Sequence, residues 1–236
     1  MIPKTIHCCW FSGEAKPSLV ARCLASWRRH APGFEIREWD VPALRREFDA
    51  LPGFVEAALK AKKWAFASDW ARFAVVERFG GVYFDLDVEL VAPIDDLVAD
   101  GKGFFALETE DPFRVDPGFG FAAPPGDEVI RALAARYESL VFDPACHLDQ
   151  NCASLSTALL RPWRESGRLA FRLLPPPVFN PKGCANGRLR LTAATRGIHH
   201  YGMSWMNWRQ RLAYRVLPHL GIDLHPLVMW WRRRSV

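Results

Sequence analysis

The sequence predicts an α/β fold with a mostly parallel central sheet flanked by helices. Three observations predict it. The chain opens in strand–helix–strand order, and a long helix free of Gly and Pro then runs through Gly80-Gly81 into another buried strand. Apolar segments of strand length go on recurring between helical ones. Strands that alternate with helices form βαβ units, whose crossovers cover the faces of a parallel sheet.

Taken in order, Thr5 to Trp10 reads as a short buried strand, and Pro17 and Ser18 introduce a helix to about His30. Ala31-Pro32-Gly33 ends it, and Phe34 to Trp39 alternates as a second strand. Val41 to Asp49 and Phe54 to Lys63 form short helices, and Trp64 to Phe79 forms the longest. Phe66, Trp70, Phe73 and Glu77 would line one side of it; Ser68, Asp69, Arg72 and Val76 another. Gly80-Gly81 stops the helix, since glycine tolerates the backbone a helix end requires. Val82 to Phe84 is a strand ending at Asp85-Leu86-Asp87. Further strand-like segments cover Val88 to Val91, Phe104 to Leu107 and Phe119 to Ala123; helices are expected from Asp127 to about Ser139 and over Ser154 to Arg161. Ile198 to Tyr201 reads as a late strand. The domain is placed at residues 1–208, with a basic, aromatic tail at 209–236.

Composition narrows the function. With 236 residues and 50% apolar content the chain can bury one substantial core. Net charge +5 and pI ≈ 9.0 suit an anionic partner, either a nucleotide diphosphate or an anionic membrane surface. No RNA-type or helix-turn-helix signature argues for nucleic acid. The six cysteines lack a C-x-x-C pair, so reduced thiols are expected, with neither a zinc site nor a disulfide framework. The N-terminus lacks a signal-peptide pattern, and no apolar run is long enough to span a bilayer. A cytoplasmic protein follows as the expectation, peripheral at the inner membrane face if the tail ending in Trp230, Trp231 and Arg232 to Arg234 docks on anionic lipid.

The chemistry points to Asp85 and Asp87. Strand alternation would set both carboxylates on one face, and two like charges that close need a positive partner. Mg²⁺ or Mn²⁺ answers this, because hard cations take oxygen ligands and share them with phosphate. A rival reading is a D-x-D phosphatase of the haloacid dehalogenase type, with a nucleophilic Asp85; another is a non-catalytic sugar-binding protein. Context separates the first rival, since its strand normally opens the domain, whereas a βαβ region precedes Asp85 here. Asp69 and Arg72 are neighbours at i,i+3, and by themselves read equally well as a surface ion pair.

The stretch ASDWARFAVVERFGGVYFDLD (Ala67–Asp87) resembles glycosyltransferase family 32, as do IPKTIHCCWF (Ile2–Phe11) and IHHYGMSW (Ile198–Trp205). It is also similar to the catalytic domain of the large glucosylating bacterial toxins. The resemblance implies a GT-A fold, a Rossmann-like sheet with the donor beyond its strand ends. It implies retaining transfer from a nucleotide-sugar donor, a UDP-sugar, to a glycan or lipid-linked acceptor. By that resemblance Trp10 stacks on the base, Asp69 and Arg72 contact sugar, ribose or diphosphate, and Tyr83 lines the donor pocket. His7 and Ser68 join the donor-binding set. Asp85 touches ribose and metal, Asp87 ligates the metal, and His199 completes it, with His200 as the alternative. Ser204 and Trp205 close over the diphosphate. Asp116, Asp149, Gln150 and Asn151 are polar positions near which leaving group or acceptor would sit.

Overall fold

The computed structural model describes residues 1–143, 150–182 and 188–202. The chain forms β1 (Thr5–Cys9), α1 (Ser18–His30), β2 (Glu35–Trp39), α2 (Val41–Glu47), α3 (Gly53–Lys60) and α4 (Trp64–Phe79). It continues through β3 (Gly81–Tyr83), β4 (Val88–Leu90), β5 (Phe104–Thr109), β6 (Arg114–Val115) and β7 (Phe121–Ala123). The last elements are α5 (Glu128–Arg136), α6 (Cys152–Glu165), β8 (Arg172–Leu174) and β9 (Gly197–His199).

The main sheet runs β2-β1-β3-β7-β5-β6, with β8 also on β5. The pairs β1–β2, β1–β3 and β5–β8 are parallel. Strand β7 is antiparallel to both β3 and β5, and β6 is antiparallel to β5. Following the directions across the sheet, β1, β2, β3, β5 and β8 point one way and β7 and β6 the other, so the sheet is mostly parallel. β4 and β9 form a separate antiparallel pair. The short strands β6 and β8 carry too few residues to give a periodic signal in the sequence.

Alternation along the strands builds two cores. Ile6, Cys8, Val82, Phe84, Phe104, Ala106 and Ala122 face one hydrophobic cluster, where Trp27 of α1 packs. Tyr83, Phe105, Leu107, Phe121 and Ala123 face the other, which takes in α3, α4 and α5. A period of two sends neighbouring side chains to opposite faces, so one strand serves both layers.

Helix α4 is more enclosed than a two-sided pattern predicts. Phe66, Ala67 and every residue from Asp69 to Val76 are buried, because α3, α5 and the sheet enclose it. Its end also differs from a left-handed helix cap. Gly80 takes φ 64° and ψ −178°, and its N–H donates to Val76 O at 2.8 Å. That backbone is open essentially to glycine alone. Helix α6 carries Pro162 within its span and ends at Glu165, past the expected Arg161.

His7 sits in β1 with no exposed surface. Trp39 Nε1 donates to its Nδ1 at 3.0 Å, so Nε2 holds the proton and donates to Gly80 O at 2.9 Å. Burial lowers its pKa to about 4. This corrects the donor-binding expectation for His7: both ring nitrogens are spent tying β1 to β2 and to the end of α4. The four described cysteines, Cys8, Cys9, Cys23 and Cys152, are free. No helix among the described residues is long and apolar enough to cross a membrane. The tail at 209–236, with Ser204, Trp205 and Asp149, lies outside the described residues.

Candidate functional site

Strands β1 and β3 are parallel neighbours, so Trp10, just past β1, and Asp85, just past β3, emerge at the same edge of the sheet. Ligands of open α/β sheets bind at this carboxyl edge, where the strands stop and their loops diverge. Trp10 is half-buried there, with Nε1 donating to Glu14 O at 2.9 Å.

Asp85 and Asp87 do converge, but a turn brings them together rather than the strand pleat expected from alternation. Both lie between β3 and β4, and Val88 N–H donates to Asp85 O at 3.0 Å. Asp87 is then clamped by the segment that follows β9. Its backbone oxygen accepts from His200 N–H at 2.9 Å, and Oδ2 accepts from Gly202 N–H at 2.6 Å. His199 Nε2 lies 3.1 Å from Asp87 Oδ1.

Asp85, Asp87 and His199 thus form a cluster in which one ligand atom from each lies within 4.8 Å of the others. His200 points away. Its Nε2 meets Glu89 Oε2 at 2.7 Å, and Arg22 Nε lies 3.3 Å from the same carboxylate. Of the two histidines, His199 is the one that reaches the acidic pair, since successive strand residues face opposite sides.

Helix α4 supplies the cationic wall. Arg72 is 3% exposed and lies 2.8 Å from Asp69 Oδ1 and 3.4 Å from Asp85 Oδ1. This is no surface ion pair. The other Asp69 oxygen accepts from Cys152 N–H at 3.1 Å, which anchors the first turn of α6. Arg72 Nε donates to Ser68 O at 3.1 Å, and the Ser68 hydroxyl donates to Ala65 O at 2.7 Å. Ser68 therefore steadies the arginine. The Arg72 guanidinium lies 5.0 Å from the Tyr83 ring centroid, and Tyr83 Oη donates to Asp85 Oδ1 at 3.0 Å.

The site concentrates negative charge. Burial pushes the Asp69 carboxyl up to about 6 against the pull of Arg72. Burial, with Asp87 nearby, also raises Asp85. Asp116 is pushed up to about 7 by burial and by Glu108. Asp87 is the exception: burial pushes it up, but His199 and the Gly202 N–H outweigh this and hold it at about 2. Four carboxylates thus face Arg72 and one imidazole. A divalent cation fits this donor set: it would relieve the repulsion between Asp85 and Asp87, and an imidazole is an acceptable third ligand. His199 Nδ1 and Arg72 Nη1 are both buried without a hydrogen-bond partner among the described residues.

Of the remaining predicted polar positions, Asp116 is at the site, beside Gly118, whose N–H donates to Asp116 Oδ1 at 2.9 Å. Gln150 and Asn151 hold the local backbone instead. Gln150 Nε2 donates to Val141 O at 2.8 Å, and Asn151 caps α6 by accepting from Ser154 N–H at 2.9 Å. Nothing in the sequence marked Gly118. A Cβ there would run into Asp85 Oδ2, and this crowding exists only in three dimensions. Gly202, against Asp87, was visible only as part of the IHHYGMSW segment.

Fold and site together define an α/β protein built on the glycosyltransferase GT-A plan. Among solved structures, PaToxG glycosyltransferase superposes with a TM-score of 0.52 at 16% identity, over 71% of this chain and 73% of that one. Residues 1–118 match the family described as capsular polysaccharide synthesis protein, and the chain belongs to that family. An uncharacterized glycosyltransferase of Acanthamoeba polyphaga mimivirus is 32% identical over 108 residues, 44% of this chain and 42% of that relative. The chain therefore spans less than half the length of the curated relative it matches.

Proposed function

We propose that the protein is a metal-dependent glycosyltransferase that moves a sugar from a UDP-sugar to a hydroxyl of a glycan or lipid-linked saccharide. The observation that carries this reading is the meeting of Asp85, Asp87 and His199 beside the buried Arg72 at the carboxyl edge of the sheet. Membership of a polysaccharide-synthesis family and likeness to glycosyltransferases support it.

Asp85, Asp87 and His199 would hold Mn²⁺ or Mg²⁺. The imidazole favours Mn²⁺, since Mg²⁺ prefers an all-oxygen shell. A cation bound there would act as a Lewis acid toward the charge that builds on the departing diphosphate. The protein's own groups orient the donor. Arg72 offers its unpartnered Nη1 to a donor oxygen, with the rest of the guanidinium held by Asp69, Asp85 and Ser68. Trp10 offers a ring for the base at the same edge. Retention of anomeric configuration belongs to the same proposal, and the anomeric NMR signal of the product tests it.

The deciding experiment is a UDP-sugar screen by thermal shift with Mn²⁺, followed by donor hydrolysis. A ligand that binds only the folded state raises its melting temperature. Wild type should bind and turn over a UDP-sugar only with the metal present, and Asp87→Ala should lose that turnover while staying folded. Equal metal-dependent turnover by wild type and Asp87→Ala would overturn the assignment.

A further inference from the structure

Among the described residues, Tyr201 is one of two without a glycine's freedom that take a positive φ, at 52°. The left-handed region is uncommon for any residue with a Cβ and an outlier for a bulky one. Tyr201 stands inside the segment that clamps Asp87. The backbone N–H groups on either side of it, of His200 and Gly202, both reach that residue, at Asp87 O and Oδ2. Glycine or asparagine would take the same backbone with less strain. A tyrosine here persists only if its side chain supplies contacts that offset the strain.

The side chain makes contacts of two kinds. Its ring stands edge-on to the His199 ring, with centroids 4.4 Å apart at 80°, and the Phe119 ring lies 4.5 Å from the same imidazole. At its far end, Tyr201 Oη donates to Asn180 Oδ1 at 2.6 Å. Asn180 is 7% exposed and is itself anchored: its N–H donates to Pro176 O at 2.7 Å, and Nδ2 reaches Glu108 O at 3.4 Å. Glu108 belongs to β5 of the main sheet, whereas His199 belongs to β9 of the separate β4–β9 pair. Asn180 and Tyr201 thus tie the small pair to the main sheet beside His199. Asp85 follows β3 of the main sheet, so this tie helps to set how an imidazole from one sheet meets carboxylates at the edge of the other. A ligand set held in place beforehand loses less freedom when it binds, and so binds more tightly.

We propose that Tyr201, fastened through its hydroxyl to Asn180, is a positioning residue that holds the His199 ring and the Gly202 N–H on Asp87 and thereby preorganises the Asp85, Asp87 and His199 cluster for a divalent cation. The inference rests on the metal site of the proposed function and adds two residues that act on it without touching the cation. Tyr201 acts through His199 and the backbone turn, and Asn180 acts through Tyr201.

The test uses Mn²⁺ alone as the probe. Free Mn²⁺ is counted by its solution electron paramagnetic resonance signal during titration of wild type, Tyr201→Phe, Asn180→Leu, the double variant Tyr201→Phe with Asn180→Leu, and Tyr201→Gly. Urea unfolding without metal is measured beside it. Tyr201→Phe keeps the ring and removes the hydroxyl, and should weaken Mn²⁺ binding roughly 3–10-fold, the range for one lost hydrogen bond. Asn180→Leu should weaken it to a similar extent, and the double variant no further than the worse single one, because both changes break the same bond. Tyr201→Gly relieves the strained backbone but removes the ring, and should weaken binding ~10–100-fold, as the loss of a partner that orients a metal ligand does. Should Asn180→Leu not fold, the two Tyr201 variants give the reading. Variants that lose metal-free stability yet bind Mn²⁺ as wild type does overturn this inference and leave the metal site standing, since Tyr201 would then serve the fold alone. Losses that multiply in the double variant also overturn it, because the two residues would act separately. If wild type binds no Mn²⁺, the metal site of the proposed function fails and this inference with it.

Discussion

His199 Nε2 meets Asp87 Oδ1 at 3.1 Å, joining the β3–β4 turn to a strand from near the other end of the described chain. The contact depends on β9 pairing with β4, which sets Val88 opposite His199. His199→Ala should therefore weaken Mn²⁺ binding at least ~10-fold, as losing a metal-orienting residue does. The check is a Mn²⁺ titration followed by thermal shift. For wild type, Mn²⁺ at a hundred times its dissociation constant should add about 2.7 kcal/mol of stability, reversed by chelation. His200→Ala should leave the titration unchanged, since His200 faces Glu89.

Asp69 and Arg72 form a buried pair, and breaking one side leaves a charge without its partner. Arg72→Ala should destabilise the fold by ~3–5 kcal/mol, measured by urea unfolding. Asp69→Asn with Arg72→Gln should cost less than the sum of the two single changes, because both are then neutral. Additive costs would mean that the pair does not act as a unit.

The His7 ring supplies a pH dependence of defined sign. Its folded pKa, about 4, lies below the unfolded value of 6.5. Between these values the unfolded chain binds more protons, so stability falls as pH drops through 6.5 and the loss is complete below about 4. The contribution is on the order of 3 kcal/mol. The raised carboxylates Asp69 and Asp116 work in the opposite direction, so the comparison must be between variants. The gap in unfolding free energy between wild type and His7→Gln should shrink by about 3 kcal/mol from pH 7 to pH 4.

Two glycines with positive φ should respond unequally to alanine. At Gly80 a Cβ would stand 2.6 Å from Pro125 Cδ and 2.8 Å from Pro3 Cδ. At Gly13 the space is open, although φ is 69°. Gly80→Ala should cost ~2–4 kcal/mol from combined strain and overpacking, and Gly13→Ala about 1 kcal/mol. Urea midpoints of the two variants decide between equal and unequal costs.

Local pattern determined a good deal of this protein by itself. The resemblance of their segments marked Asp69, Arg72 and His199, whereas the spans of β1, α1, β2 and α4, the Gly80-Gly81 stop, and the candidacy of Asp85 and Asp87 could be read from the chain alone. Those features rest on periodicity, on breakers, and on residue types whose chemistry is strong wherever they stand. Tertiary structure decided the rest. It chose His199 over His200, because pairing of β9 with β4 fixes which ring faces Asp87. It withdrew His7 into the sheet, because Trp39 and Gly80 close on both of its nitrogens. It turned Asp69–Arg72 from a pair that could have been solvated into a buried one, because α3, α5 and the sheet enclose α4. It brought Asp116, Gly118 and Arg72 around one point, a relation between distant segments that no local spacing encodes.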